Sequence, residues 1–451
     1  MAIAASTGAV GNVSSGAVGA ANAVNVLTNT VFGFIDNSTV IAAGAIEVQA
    51  HSKKDGNSDN IYRVDALAFG IALAGLGSKS QGLTGAYAGA GSLALNQVDI
   101  KMAGYLLNST LRAGQALTVS AFDDIRLRAD SGGYALSLAL SSGAGTNIAG
   151  AIGASIALNE IGEHGGHEVR AFLANVDASV GGDVLIDAQS VAAIEAVSIG
   201  AAGSGAFSKG SGLNLALSGA GAGSYNRIKI DIEASLKQKS TLIATDAAID
   251  PSVTLRATDQ SEIFTDAGGV VIAVAAGIGS LAGQGAAISI GVANAENIID
   301  NTTHAFIADS TVTADGAVTV EATAKDRSNS GRDYRIDALA FGIAASGAVS
   351  SGEGLAGAIA GAGSGVLNTV DNSVLAYIEQ TLNADENDEI IAGGNLAVTA
   401  ADATRIRGDA GGYAIALSGS TGSVNTGAGA IGASIVINEI GKNGGYEVKE
   451  Q

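Results

Sequence analysis

A chain of 451 residues with 65 Gly and one Pro is not collagen, which couples glycine to proline at a strict period, and with no Cys it can hold neither a disulfide nor a thiolate metal site. A formal net charge of −20 argues against nucleic acid as a partner, since phosphates are met by Lys and Arg. A mean hydropathy of +0.33 is too apolar for disorder, so Gly and Ala are expected to serve close packing of regular backbone.

The opening AIAASTGAV after Met1 already reads as repeat interior, and the closing EVKEQ stops where a unit would continue. The expectation is one continuous array over 1–451, a piece of a longer chain, so the missing signal peptide carries no information. No run of about 18 apolar residues free of Gly or polar breaks occurs, so membrane insertion of this segment is not expected.

The first turn-rich element is GFIDNSTVIAAGAIEVQA at 33–50. It recurs as GYLLNSTLRAGQALTVSA at 104–121, AFLANVDASVGGDVLIDA at 171–188 and AFIADSTVTADGAVTVEA at 305–322. Each reads as three short strands separated by a polar turn and a Gly turn. Asn, Asp and Gly sit where positive φ or local side-chain bonding is needed. Between these elements run Gly/Ala-rich stretches almost without charge. YALSLALS at 134–141 alternates strictly, with Leu136, Leu138 and Leu140 on one face and Ser137, Ala139 and Ser141 on the other. Period two means strand. The large face is expected to meet a core, and the small face a close neighbour or a flat surface. Two insertions interrupt the pattern: TDAAIDPS at 245–252, which holds Pro251, and the acidic ADENDE at 384–389. Insertions at one point of a repeat map to loops on one edge.

GAIGASIALNEI at 150–161 returns as GAIGASIVINEI at 429–440. Looser copies end on Asn, so Asn25, Asn96, Asn159, Asn226, Asn294, Asn368 and Asn438 mark units of about 69 residues. Approximate units are 1–55, 61–124, 125–190, 191–259, 260–326, 327–403 and 404–451. Unit types alternate: Asp130, Asp266 and Asp409 open a D-x-G-G version, while Asp65 and Asp337 open DALAFGIA, with a cousin at Glu195. The pattern predicts an all-β, Gly/Ala-rich parallel β-solenoid, right-handed. Each unit would divide into three coils of roughly 22 residues, giving a rod on the order of 100 Å. The alternative is stacked antiparallel hairpins that turn at 143–146. One Asn per unit suggests a corner cap rather than a continuous side-chain ladder.

Chemistry-bearing patterns are few. His164 and His167 form H-x-x-H beside Glu163 and Glu168, but the twin unit carries Asn443 and Tyr446 there, so a solvated turn is expected. Asp385, Glu386, Asp388 and Glu389 are candidates for weakly bound calcium, because carboxylates on a loop suit that ion; no other cofactor is implied. Gly-rich runs such as GAGAGS at 219–224 lack the G-K-[ST] ending of a phosphate loop. Acids are scattered and aromatics too few for a sugar platform, so no enzyme is expected.

The pairing of DAGGxxIAxxG…GAIGASIxxNxI with NTVxAFIxxSTVxAxGxVxVxA resembles the repeat regions of large secreted bacterial filamentous adhesins, of the filamentous-haemagglutinin-like and leukotoxin-type kinds. The likeness covers essentially the whole chain. It implies a cell-surface or secreted β-solenoid stalk acting in adhesion or fibre formation, whose partners would be neighbouring repeats, further copies in a fibre, or a host-cell or neighbouring-cell surface. No active site carries over. The second reading is a binding module that recognises glycan, ice or a partner protein through inserted loops or a flat face.

Overall fold

The computed structural model describes the chain except for residues 10, 53–63, 80, 247, 278–282, 327–332, 352–353, 381–388, 423–424, 442–446 and 451. Among the described residues the regular structure is all strand, in sheets of seven, sixteen and six strands.

The third rung gives the pattern. Arg126–Ser141 lies in the seven-stranded sheet, Asn147–Ile161 and His167–Val180 in the sixteen-stranded sheet, and Val184–Ser190 in the six-stranded sheet. The chain then re-enters the first sheet at Ala193, which pairs in parallel with Arg126. The fold is therefore a parallel β-solenoid in which one sequence unit makes one rung. The expected division into three coils of roughly 22 residues is overturned. Residues of adjacent units lie side by side, so seven rungs at about 4.8 Å stack to about 30 Å rather than 100 Å. The repeat period alone does not say how many strands share a turn of the solenoid. The Gly/Ala stretches form strands of 15 or 16 residues, longer than the short strands of a 22-residue coil.

The antiparallel alternative also fails. A turn does occur at 143–146, but its two strands belong to different sheets. The turn's flanks bond to the neighbouring rungs, Ser142 N–H to the carbonyl of Ser78 and Thr84 N–H to that of Thr146. Among the described residues every pairing between strands is parallel, and the antiparallel contact is an isolated bridge between Gly283 and Ser351.

The cross-section has two parts. One is a closed body where all three sheets meet, filled by Leu127, Ile161, Val169, Leu173, Ile186 and Ile194, all fully buried. The other is a flat blade, made where the long strands of the first two sheets lie face to face. In the blade the small face meets the expected close neighbour, but the large face does not meet a core. Ser137 and Ala139 are fully buried between the sheets, while Leu136, Leu138 and Leu140 are exposed on the outside. The sheets lie so close that the inner columns are mostly Ala, Ser and Gly, with Leu76 and Val271 the larger side chains buried among them. A Cβ on Gly133 would sit 2.0 Å from the carbonyl oxygen of Ala154, and one on Gly153 would sit 2.2 Å from that of Ala201. Alternation in a strand defines two faces but does not say which is the inner one.

Unit alternation has a packing reason. The ring of Phe69 covers Gly132 on the next rung, where a Cβ would lie 2.4 Å from it; Phe341 likewise covers Gly268 at 2.6 Å. The D-x-G-G units leave room for the Phe of the DALAFGIA units.

Candidate functional site

The landmark asparagines form a continuous ladder where the blade joins the body. The side-chain amide of Asn25 donates to the Oδ1 of Asn96. The same 2.9 Å bond runs on through Asn159, Asn226, Asn297 and Asn368 to Asn438. The second amide hydrogen crosses to the facing sheet, as from Asn96 to the carbonyl of Arg128 and from Asn226 to Thr265 Oγ1. A ladder, not a corner cap, is the outcome, because one Asn per unit is one Asn per rung. Asn294 is not a member. It lies three residues before Asn297, and an odd offset turns it to the outer face, between Gly223 and Gly365. Asn159→Ala is expected to lose about 3 kcal/mol, by stranding buried amide groups on both neighbours. Asn294→Ala should leave the urea midpoint near that of the parent. Equal midpoints for the two would mean that the ladder contributes nothing to stability.

His167 corrects the solvated-turn reading. It opens a strand and is buried, with Nε2 2.9 Å from Asp123 Oδ2 and Nδ1 accepting from the Ile100 N–H at 3.3 Å. His164 stays out, its Nδ1 3.6 Å from Glu160. The two histidines do not converge. Asp385, Glu386 and Asp388 lie outside the described residues; Glu389 is exposed, and its carbonyl accepts from Val312 N–H. Among the described residues no group of three His, Asp or Glu is arranged to hold a metal.

Stacking gathers residues that are scattered in sequence. Phe34, Tyr105 and Phe172 form an outer aromatic column with ring centroids 5.1 and 5.0 Å apart, and Phe306 and Tyr377 continue it at 4.9 Å. Ser235 occupies the intervening rung, where the Lys237 ammonium lies 4.7 Å from the Phe172 ring and 5.7 Å from the Phe306 ring. Lys237 also pairs with Glu233, whose carboxyl burial would raise; Lys237 and Ser235 outweigh that and hold it below the usual range. Ring faces spent on one another do not form a sugar platform.

On the other sheet, charges alternate up a column of Asp65, Arg128, Glu195, Phe264, Asp337 and Arg407. Around it Glu195, Asp266, Asp337 and Asp409 line a cavity of about 380 Å³ with Arg407. Arg407 lies 2.7 Å from Asp409 and 4.0 Å from Asp337. Arg407 thus serves the acid on its own rung, Asp409, and the one on the neighbouring rung, Asp337, so that end of the cavity holds ion pairs rather than an isolated acid and base. A second cavity of about 760 Å³ at the blade tip is lined by Gly77, Leu140 and Phe207 with Lys79 and Lys209.

No family model matches the chain, and no curated protein or solved structure matches it. No helix among the described residues is long and apolar enough to cross a membrane. The features that repeat through the molecule are thus its columns: a buried amide ladder, a stacked aromatic column, alternating charges, and the two apolar outer faces of the blade.

Proposed function

We propose that the chain is a structural segment of a secreted or cell-surface bacterial filament or adhesin, a non-enzymatic stalk element outside the cell. The observation that carries this reading is the uninterrupted amide ladder through all seven rungs. A buried hydrogen-bonded column that repeats without a break serves a stack that grows in one dimension. The columns that keep one residue type in register are inside the protein or stacked on themselves, which favours a structural element over a ligand-reading face. The absence of Cys and the net charge of −20 suit a soluble extracellular array stapled by stacking.

Beads coated with the purified chain provide the test. A structural segment should adhere to cultured epithelial cells, bacterial cells and immobilised glycans no better than albumin-coated beads. Adhesion several-fold above albumin, lost on competition with one glycan or cell extract, would replace the stalk with the binding module.

A further inference from the structure

The outer blade face of the sixteen-stranded sheet carries glycines that the fold itself does not require. One column reads Val18, Gly89, Ile152, Gly219, Ile290, Gly361 and Ile431, each residue in register with the next. Its large members stand in solvent: Val18 is 80% exposed, Ile152 65%, Ile290 54% and Ile431 74%. A Cβ added at Gly219 or Gly361 would meet nothing within 4 Å, and neither glycine lies at positive φ. The same holds for Gly91, Gly221, Gly223 and Gly363 on this face. Neither strain nor internal packing demands glycine at these positions. Glycine inside a strand weakens it, and it marks places where another backbone or ligand approaches closely.

The alternation makes relief. Rungs lie about 4.8 Å apart, so within this column Val and Ile recur about every 9.6 Å with bare backbone between them, and Tyr87, Leu217 and Ile359 close the glycine rungs on one side. That spacing leaves each groove wide enough for one row of aliphatic side chains. Neither Asp, Glu, Lys nor Arg occurs on the outward columns that run from Ile148 to Ile156 and their partners on the other rungs; charge begins at Glu296 and at Glu160, Arg227 and Glu439 beyond. Nine residues along the strand span about 30 Å, and seven rungs another 30 Å. The uncharged area is therefore about 900 Å² on one copy, above the roughly 800 Å² per partner of a stable interface.

We propose that this face packs against the same face of a second copy of the chain, with Val and Ile ridges seated in the glycine grooves. A lipid surface would reward the apolar character but gain nothing from the relief. A second copy uses both, as dry interdigitated sheets do. The cross-section agrees. A unit of about 69 residues raises the stack by a single rung, where a coil of roughly 22 would do the same, and the surplus chain builds the blade. The inference goes beyond the stalk reading, since it concerns the isolated chain in solution and holds whether or not the parent protein is an adhesin.

Sedimentation velocity over a concentration series tests it, on the chain as it stands and on two double variants. Gly219→Ile with Gly361→Ile fills the grooves; Ile152→Ser with Ile290→Ser removes the ridges. The parent should self-associate reversibly, and both variants should weaken association at least tenfold. The groove-filled variant should melt no lower than the parent, because its new side chains enter open space in a β-favouring position. A parent that stays monomeric throughout the series overturns the proposal. So does association that ignores both variants, which would place it at the open strand edges of the end rungs. Flotation with phosphatidylcholine vesicles, equal for parent and groove-filled variant, would assign the face to lipid instead and equally overturn it.

Discussion

Gly133→Ala is expected to destabilise the protein by about 3 kcal/mol or more, while Gly221→Ala, in the opposite sheet, leaves it unchanged or slightly more stable. A Cβ on Gly133 would lie 2.0 Å from the Ala154 carbonyl oxygen and 2.7 Å from both the carbon of that carbonyl and the Ala154 nitrogen. These are backbone atoms in a paired strand, bonded on both sides to neighbouring rungs, so they cannot rotate away as a side chain would. Relief requires the two sheets to part, and parting them opens the contacts of Ala135, Ser137 and Ala139 along the blade. The neighbouring rungs repeat the constraint, with Gly70 facing the Gly91 carbonyl and Gly200 the Gly221 carbonyl, each at 2.1 Å. Gly221 itself points outward, where a Cβ would meet nothing within 4 Å. Urea midpoints of the two alanine variants decide the matter. Two indistinguishable midpoints would mean that the blade's sheets are not in such contact.

Asp259→Ala should cost about 3–5 kcal/mol, the usual penalty for leaving one member of a buried ion pair alone. Asp259 and Arg335 are both fully buried at the corner between the six- and seven-stranded sheets. The Arg335 Nη2 donates to Asp259 Oδ2, its Nε to the Ser261 carbonyl at 3.1 Å, and its Nη1 to Thr404 Oγ1 at 3.3 Å. Asp259 also accepts from the Ser261 N–H at 2.9 Å, the Ser261 hydroxyl at 2.6 Å and the Asn301 amide at 2.9 Å. Burial alone would raise the Asp259 pKa; Arg335, Asn301 and Ser261 outweigh it and hold the carboxyl below the ordinary carboxylate value. Its folded-state pKa is therefore lower than its unfolded one. The stabilisation is present above the unfolded value of about 3.9 and is lost as pH falls through the folded pKa. Thermal melts of the parent should fall steeply below about pH 4. Asp259→Asn should start lower at neutral pH and lose less on acidification, and parallel pH profiles for parent and variant would remove this pair as the cause. Replacing both residues by well-packed apolar ones should cost less than removing either.

The sequence carries the parallel solenoid and its period openly, because every rung repeats the same strand and turn chemistry. The positive φ values at Asn37, Asn108, Asn175 and Asp309 fall in the polar turns where Asn and Asp were expected. Two things were hidden. The inner face of the blade is the face of Ala, Ser and Gly, and nothing within a strand such as 134–141 distinguishes a buried small face from an exposed one. The number of rungs per unit was hidden too, since a period of about 69 residues fits one wide rung or three narrow ones equally well. Asn294 illustrates a smaller limit: NAEN offers two asparagines, and only the strand's parity selects Asn297 for the ladder. The pairing of His167 with Asp123 joins residues on different strands, and only the closed rung brings them together.

One unit makes one rung, and a single distance along the stack decides it. Ala20 and Ala433 share an outward column, linked through Gly91, Ala154, Gly221, Val292 and Gly363. The chain contains no Cys, so Ala20→Cys with Ala433→Cys can be spin-labelled cleanly and diluted with unlabelled chain for pulsed electron paramagnetic resonance. Six rung steps predict a separation of about 30 Å between the two backbone positions. A separation of about 86 Å, the length of eighteen narrow coils at the same rise, would contradict the one-rung unit and the columns that it builds.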